Sequence, residues 1–258
     1  MFGKPVAIPT LVSTGNVFTD PTSTGDGLEL VVMSTQGGNK DLWRATRVSL
    51  TSPWSKAQII AELRADSAES NPKISADGLR LWFYTDRDRA TGTIWAATRA
   101  KRSEPFGAPV VVPGLSTIGA SDVSACANDD GTAAVISKSI DGETKGYDLY
   151  ELRRNSPTES FTVKVSLTSV NSDNNDYDPW LSPDGLVLVF HSDRSGNSDL
   201  FWSSRQTLAD EFSTPLPVSS VNTKSAEAAP ALLPDLGRIW FASDRDGNER
   251  IYEAIAVN

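Results

Sequence analysis

The turn dipeptide Asp-Gly returns along this chain at a nearly constant interval. It stands at Asp26-Gly27, Asp77-Gly78, Asp130-Gly131 and Asp184-Gly185, with a degraded copy at Asp235-Leu236-Gly237. The steps between the aspartates are 51, 53, 54 and 51 residues. Behind each turn comes a run rich in Val, Ile, Leu and aromatics: residues 28–33, 79–84, 132–136, 186–191 and 238–242. Short apolar runs bounded by turn signals read as buried strands.

A second run follows each time, marked by an apolar-aromatic pair: Leu42-Trp43, Ile94-Trp95, Leu149-Tyr150, Leu200-Phe201 and Ile251-Tyr252. In four copies an arginine stands four residues later (Arg47, Arg99, Arg154, Arg205). Eleven residues after the first four aromatics comes another one, opening the last strand of the unit: Trp54, Phe106, Phe161 and Phe212. The fifth unit has no such aromatic at its own end. The missing copy stands at the N-terminus, where Phe2-Gly3-Lys4-Pro5 matches Phe106-Gly107-Ala108-Pro109.

A repeat whose last copy is completed by its first residues closes on itself. Four short strands per unit, repeated radially, make a β-propeller blade. The sequence therefore predicts an all-β chain: a five-bladed β-propeller of four-stranded antiparallel blades. Its N-terminal strand should pair with the last blade and so hide the sheet edges. The blades fall at residues 17–60, 68–115, 119–167, 175–220, and 226–258 together with 1–11, one domain using the whole chain.

Composition narrows what such a ring can do. With 24 Lys+Arg against 33 Asp+Glu, the formal charge is −9. Phosphate backbones need clustered cations, so no nucleic-acid partner is expected. No apolar run is long enough to span a bilayer, and no membrane insertion is expected. One Cys (Cys126) and one His (His191) exclude a disulfide framework and a four-ligand structural zinc site. Met1-Phe2-Gly3-Lys4-Pro5 carries no leader signature. No nucleophile elbow, phosphate loop or dinucleotide fingerprint is present. A closed ring needs no partner edge, so a monomer is the expected state.

The stretch from Asp178 to Phe201, opening Asp-Pro-Trp-Leu-Ser-Pro-Asp-Gly, resembles the TolB-type (WD40-like) propeller repeat. Weaker copies start at Asn71-Pro72 and Ala229-Pro230. The resemblance covers essentially the whole chain and implies the fold. It also implies a periplasmic or extracellular setting. TolB itself has six blades and an extra N-terminal domain, so its lipoprotein partner is not carried over.

By analogy with other propellers, ligands are expected at one mouth of the central channel. There the inner strands place Asp20, Asn71, Asp122 and Asp178, with Ala229 in the fifth blade, and Glu69, Asp173, Asp176 and Glu227 nearby. Three readings compete. The aspartates cap the strand starts by accepting backbone N–H bonds. Alternatively Asp20, Asp122 and Asp178 hold a hard cation such as Ca²⁺. Otherwise they supply a carboxylate pair for glycosidic cleavage, as in family 43 glycoside hydrolases, although no Glu stands at the aligned positions. The Ser/Thr-Asp-Arg segments ending at Arg87, Arg194 and Arg245 suit carboxylate pairing that locks one blade to the next. His191 reads as a hydrogen-bonded packing residue or a base. Trp180, aligned with Lys73, Ser124 and Ala231, reads as core or as a ligand platform. Cys126 reads as a buried small hydrophobe. The expected function is non-enzymatic binding of a protein, glycan or cation at this mouth, with Ca²⁺ the one cofactor the residues allow. The alternative is a glycan-cleaving enzyme using the mouth carboxylates.

Overall fold

The computed structural model of the chain describes residues 1–12, 17–88, 92–115, 122–139 and 146–257, without the side chains of residues 122, 123, 163 and 164. It contains five four-stranded antiparallel sheets. Strands from the inside outwards run as follows. Blade one is Phe18–Ser23, Glu29–Ser34, Asp41–Thr46 and Gln58–Ile59; blade two is Glu69–Ile74, Arg80–Thr85, Thr93–Thr98 and Val110–Val111. Blade three is Asp122–Ala127, Ala133–Ser139, Tyr147–Arg153 and Val163–Ser166; blade four is Asp176–Leu181, Val187–Ser192, Asp199–Ser204 and Leu216–Pro217. Blade five is Glu227–Leu232, Arg238–Ser243 and Arg250–Ile255, and its outer strand is Val6–Ala7 from the N-terminus. Val6 pairs with Glu253 and Ala7 with Tyr252, and Phe2 bridges Ala256. The inner strands of successive blades touch all the way round, blade five against blade one included. The five-bladed ring expected from the circular repeat is thus observed. Among the described residues no helix is long and apolar enough to cross a membrane.

The Asp-Gly turn recurs for a conformational reason. Gly27, Gly78, Gly131 and Gly185 have φ between 67° and 75°, the left-handed region that favours glycine. The preceding aspartate caps the turn: Asp77 Oδ1 accepts from Leu79 N at 2.8 Å, and Asp26, Asp130 and Asp184 do the same. In the fifth copy Leu236 takes this conformation at φ 58°.

Both faces of a blade are buried against its neighbours, so the core is five clusters, one in each gap. The repeated outer aromatic belongs to all of them. Trp54 packs with Trp240 and Ile251 of blade five, Phe106 with Val31 and Leu42 of blade one, Phe161 with Trp82 of blade two, and Phe212 with Val135 of blade three. Phe2 packs against Val189 and Leu200 of blade four. Its position fifty-two residues before Trp54 is thereby explained.

The arginines behind each third strand cross these gaps. Arg99 Nη2 meets Glu29 Oε2 of blade one at 2.6 Å, Arg47 meets Glu253 of blade five at 2.9 Å, and Arg205 takes Glu151 of blade three bidentately at 2.8 and 3.1 Å. The Arg99 side chain is 0% exposed and that of Glu29 6%. The Ser/Thr-Asp-Arg arginines, expected to join blades, do something different. Arg87, Arg194 and Arg245 pair with Glu69, Asp176 and Glu227 on the inner strand of their own blade. The same guanidinium groups donate to Leu63, Val170 and Val221 O in the linkers that arrive from the preceding blade. These arginines fasten linker to blade.

Removing one partner of a buried ion pair strands the other charge, which costs about 3–5 kcal/mol, whereas replacing both with apolar groups is often neutral. Glu29→Ala should therefore lower unfolding free energy in urea by about 3 kcal/mol or more, and Glu29→Met combined with Arg99→Leu by much less.

Candidate functional site

On four inner strands the ladder breaks after the second residue. In blade four the register slips between Tyr177 and Trp180, and the same slip occurs between Thr19 and Thr22, Ser70 and Lys73, and Ala228 and Ala231. The first residue of each bulge is left-handed: Asp20 at φ 53°, Asn71 at 50°, Asp178 at 46° and Ala229 at 49°. Asp and Asn tolerate this region through local hydrogen bonds; Ala229 does so at a cost of about 1–2 kcal/mol. Bulges re-aim side chains, and here they turn equivalent residues of different blades toward one another at the upper end of the channel. Asp20 Oδ2 accepts from the N–H of Asn71 on the next blade at 3.4 Å, and Asp178 lies close enough to raise the proton affinity of Asp20. The strand-capping reading is thus altered in one respect: Asp20 caps its neighbour's backbone and not its own.

Blade three differs from the expected alignment by two residues. Asp122 pairs with Lys138 eight residues after its turn aspartate, as Glu69 pairs with Thr85. Asp122 therefore occupies the position of Glu69, Asp176 and Glu227, and Ser124 stands where the other blades carry Asp20, Asn71, Asp178 and Ala229. The Asp122 side chain lies outside the described residues. By the same register the counterpart of Trp180 is Cys126 and not Ser124. Trp180 itself is buried among Val189, Leu200 and Ile239 in the gap between blades four and five, and its edge lines a small cavity with Thr22 and Cys126. It sits two residues below Asp178 along the inner strand, away from the mouth. Cys126 is buried as expected, and its Sγ accepts from Leu181 N at 3.3 Å.

Burial and mutual repulsion set the charges of the upper cluster. Asp20 is raised to about 6, first by desolvation and then by Asp178, while Lys73 and the N–H of Asn71 pull it back. Asp178 is also raised by burial, against Lys73 and the Ser124 hydroxyl, which lower it. His191 is lowered to about 4, chiefly by desolvation. Its Nδ1 accepts from Ala229 N at 3.4 Å, so the neutral ring carries its proton on Nε2. That same Nδ1 lies 3.5 Å from Asp178 Oδ2, a contact between two acceptors unless the carboxyl is protonated. Glu249, at the exposed rim, is raised by desolvation and then by Asp20 and Asp244. Lys73, 6% exposed, is the cation of the cluster. Two carboxyls with one ammonium leave one negative charge, which a shared proton or an incoming cation offsets.

An aromatic stack leads outward from this cluster. His191 stacks on Tyr177 at 5.0 Å between centroids, and Tyr177 meets Tyr147 of blade three at 4.9 Å. Burial and Asp193 push the Tyr177 phenol up to about 12, so it remains a hydrogen-bond donor. Neither tyrosine was singled out from sequence, because neither recurs in the other blades. Glu69, Asp176 and Glu227 were, but their carboxylates are consumed by the arginine pairs described above. Among the described residues no group of three or more His, Cys, Asp or Glu is arranged to hold a metal ion.

No family model and no curated protein matches this chain. Among solved structures it is similar to an α-L-arabinofuranosidase from Podospora anserina, with a TM-score of 0.67 and 13% identity over 100% of this chain and 96% of that one. It is also similar to a thermostable family-43 glycoside hydrolase (TM-score 0.62, 11% identity, 96% and 91% covered). TolB from Acinetobacter baumannii gives a TM-score of 0.55 at 14% identity, covering 95% of this chain and 56% of that one. At these identities the likeness shows the fold.

The two shifted groups pull stability in opposite directions with pH. Asp20 is raised from 3.8 to about 6, so the folded state binds the extra proton and stability falls as pH rises through that window. His191 is lowered from 6.5 to about 4, so the unfolded state binds the extra proton and stability rises with pH from 4 to 6.5. Each is worth on the order of 3 kcal/mol and the two oppose one another, with raised Asp178 adding to the carboxyl side. Asp20→Asn should leave the histidine slope, giving a Tm that climbs between pH 4 and 6.5 and exceeds the parent's at pH 7. His191→Gln should leave the carboxyl slope, with Tm falling between pH 4 and 6. Thermal melts across that range check both signs.

Proposed function

We propose that the chain is a binding propeller that takes a polyhydroxylated ligand, a glycan, at the upper mouth of its channel. The observation that carries this reading is the adjacency of two unlike surfaces. Asp20 and Asp178 offer carboxyl oxygens that accept from or donate to hydroxyls. Beside them, the stack that Tyr177 anchors against His191 ends on half-buried Tyr147, whose ring and phenol tip suit the apolar face and the hydroxyls of a sugar ring. Convergent polar groups next to an aromatic wall at the end of a channel are the usual form of a small-ligand site. Ca²⁺ is the other occupant the carboxylates allow, and buried Lys73 beside them disfavours a divalent ion. The fold neighbours support sugar chemistry without deciding it, since one is an arabinofuranosidase, one a glycoside hydrolase and one TolB. The finer TolB-type repeat assignment and the single-domain, monomeric organisation belong to the same proposal.

A second reading, glycan cleavage, is favoured by one specific feature. A carboxyl held at about 6 beside a second carboxyl is the arrangement that divides acid and base roles between two like groups. In that reading Asp20 donates the proton to the leaving oxygen and Asp178 or Glu249 acts opposite it.

Calorimetric titration with xylotriose and cellotriose, together with turnover of 4-nitrophenyl α-L-arabinofuranoside, separates the readings. Binding in the micromolar to millimolar range, weakened at least tenfold by Tyr177→Ala and by Asp178→Asn, is expected. Turnover abolished by Asp178→Asn would move the conclusion to the second reading. Neither binding nor turnover with these sugars, or a saturable rise in Tm with Ca²⁺ lost in Asp20→Asn, would overturn the glycan assignment.

A further inference from the structure

The gap between blades four and five lacks a device present in the other four. Arg47, Arg99, Arg154 and Arg205 each donate their backbone N–H to the carbonyl of Leu28, Leu79, Thr132 or Leu186 at 2.9–3.0 Å. Each then turns its side chain into the gap and donates Nε to a turn-glycine carbonyl, that of Gly27, Gly78, Gly131 or Gly185, at 2.6–2.9 Å. Each guanidinium lies over the repeated outer aromatic: Trp54, Phe106, Phe161 or Phe212, at 4.1–4.5 Å from the ring centroid. In blade five the same backbone bond runs from Ala256 N to Gly237 O at 2.9 Å. The outer aromatic is there, supplied by Phe2. The turn carbonyl is there, on Leu236 with its left-handed φ of 58°. The arginine is not, because residue 256 is alanine.

What remains is a groove of about 430 Å³ lined by Phe2, Val187, Trp202, Leu236, Ile239 and Ala256, among others. Trp202 is 39% exposed and takes the position that Glu151 and Glu253 hold in their own blades. A carboxylate is not needed for this kind of seat. Among the described residues Arg154 donates to the carbonyls of Gly131 and Glu159, has Arg80 nearby, and still lies over Phe161. A planar cation over an aromatic face, with its aliphatic stem against apolar walls, is favourable without a counter-ion.

We propose that this groove is a receptor for an arginine side chain presented by a partner polypeptide, which completes in trans the stack that the other four gaps make in cis. The occupant is specified by the repeat itself, since the chain seats arginine four times in this frame. Lysine has the charge but neither the plane nor the Nε donor, and citrulline has the plane without the charge. The groove lies on the outer wall of the ring, so it is independent of the reading of the channel mouth.

The test is a titration of the full chain with acetyl-Gly-Arg-Gly-amide, followed by NMR shifts of the Trp202 indole and the Ala256 amide, beside the lysine and citrulline peptides. Saturation at least tenfold tighter for the arginine peptide is expected. Ala256→Arg should fill the seat in cis, raise Tm by about 2–4 °C and abolish the peptide shifts. Ala256→Gln, which fills space without a guanidinium, should do neither. An arginine peptide that binds no better than the citrulline peptide overturns the proposal. So does an Ala256→Arg chain that melts at or below the parent, or an equal rise in Ala256→Gln. Should Ala256→Arg fail to fold, the peptide titration decides alone.

Discussion

A propeller blade has no solvent face wide enough to leave bare, so every blade depends on having two neighbours. In this chain that requirement falls on the N-terminal segment. Phe2 fills the fifth aromatic position, and Val6–Ala7 supply the fifth outer strand. Without them blade five would expose an edge and one gap would lose its aromatic anchor. The closure is short in paired residues, two and one bridge, and the segment adds to it by burying Ile8 and Leu11 against blades one and five and by packing the partly buried Phe2 ring against blade four.

Within the closed ring, symmetry and its breaches have different physical causes. The Asp-Gly turns, the apolar second strands and the outer aromatics are near-identical because each gap poses the same packing problem. The inner-strand bulge is also repeated, in a conformation that non-glycine residues adopt at some expense. The repeat fixes the backbone there and leaves the side chain free. Asp, Asn, Ser, Asp and Ala fill the five positions, and the resulting asymmetry places two carboxyls, one lysine and one histidine within reach of each other. Burial of so many ionisable groups would ordinarily make stability strongly pH-dependent. Here the carboxyl and the imidazole are shifted toward each other's range, and their linkages oppose.

How much of this was legible in the sequence follows from the same distinction. Strand number, blade count and circular closure could be read from spacing alone, because packing enforces them in every copy. The register of blade three could not. Its unit is longer, and Asp122-Val123 lacks the Asp-Pro or Asn-Pro pair that marks Asp20, Asn71 and Asp178, so an acid of the first strand position passed for one of the bulge. Counting six residues back from Asp130 gives Ser124 and would have corrected it. The arginines at 47, 99, 154 and 205 were visible as a pattern, but the carboxylates taken by Arg47, Arg99 and Arg205 sit on other blades, at two different positions of the unit that not every blade fills with an acid. The Tyr147–Tyr177–His191 stack was invisible because it occurs once.

A repeat of this kind turns the chain into its own reference. A residue that obeys the repeat is explained by packing, whatever its chemistry: Glu69, Asp176 and Glu227 are acids near a channel mouth, yet each is held by its own arginine. A residue that departs from the repeat has been released from that duty. Asp20 and Asp178 depart from asparagine, serine and alanine at one level of the channel; at one gap of the outer wall Ala256 departs from the arginine of the other four blades, and Trp202 stands where two blades carry glutamate. The first departure adds charge where the fold would accept a small neutral side chain. The second removes charge where the fold elsewhere supplies it, and leaves its aromatic and its carbonyl in place. In both, the scaffold is unchanged around the altered residue, which is the condition for carrying a ligand site on a fold that the repeated packing of its five gaps already holds together.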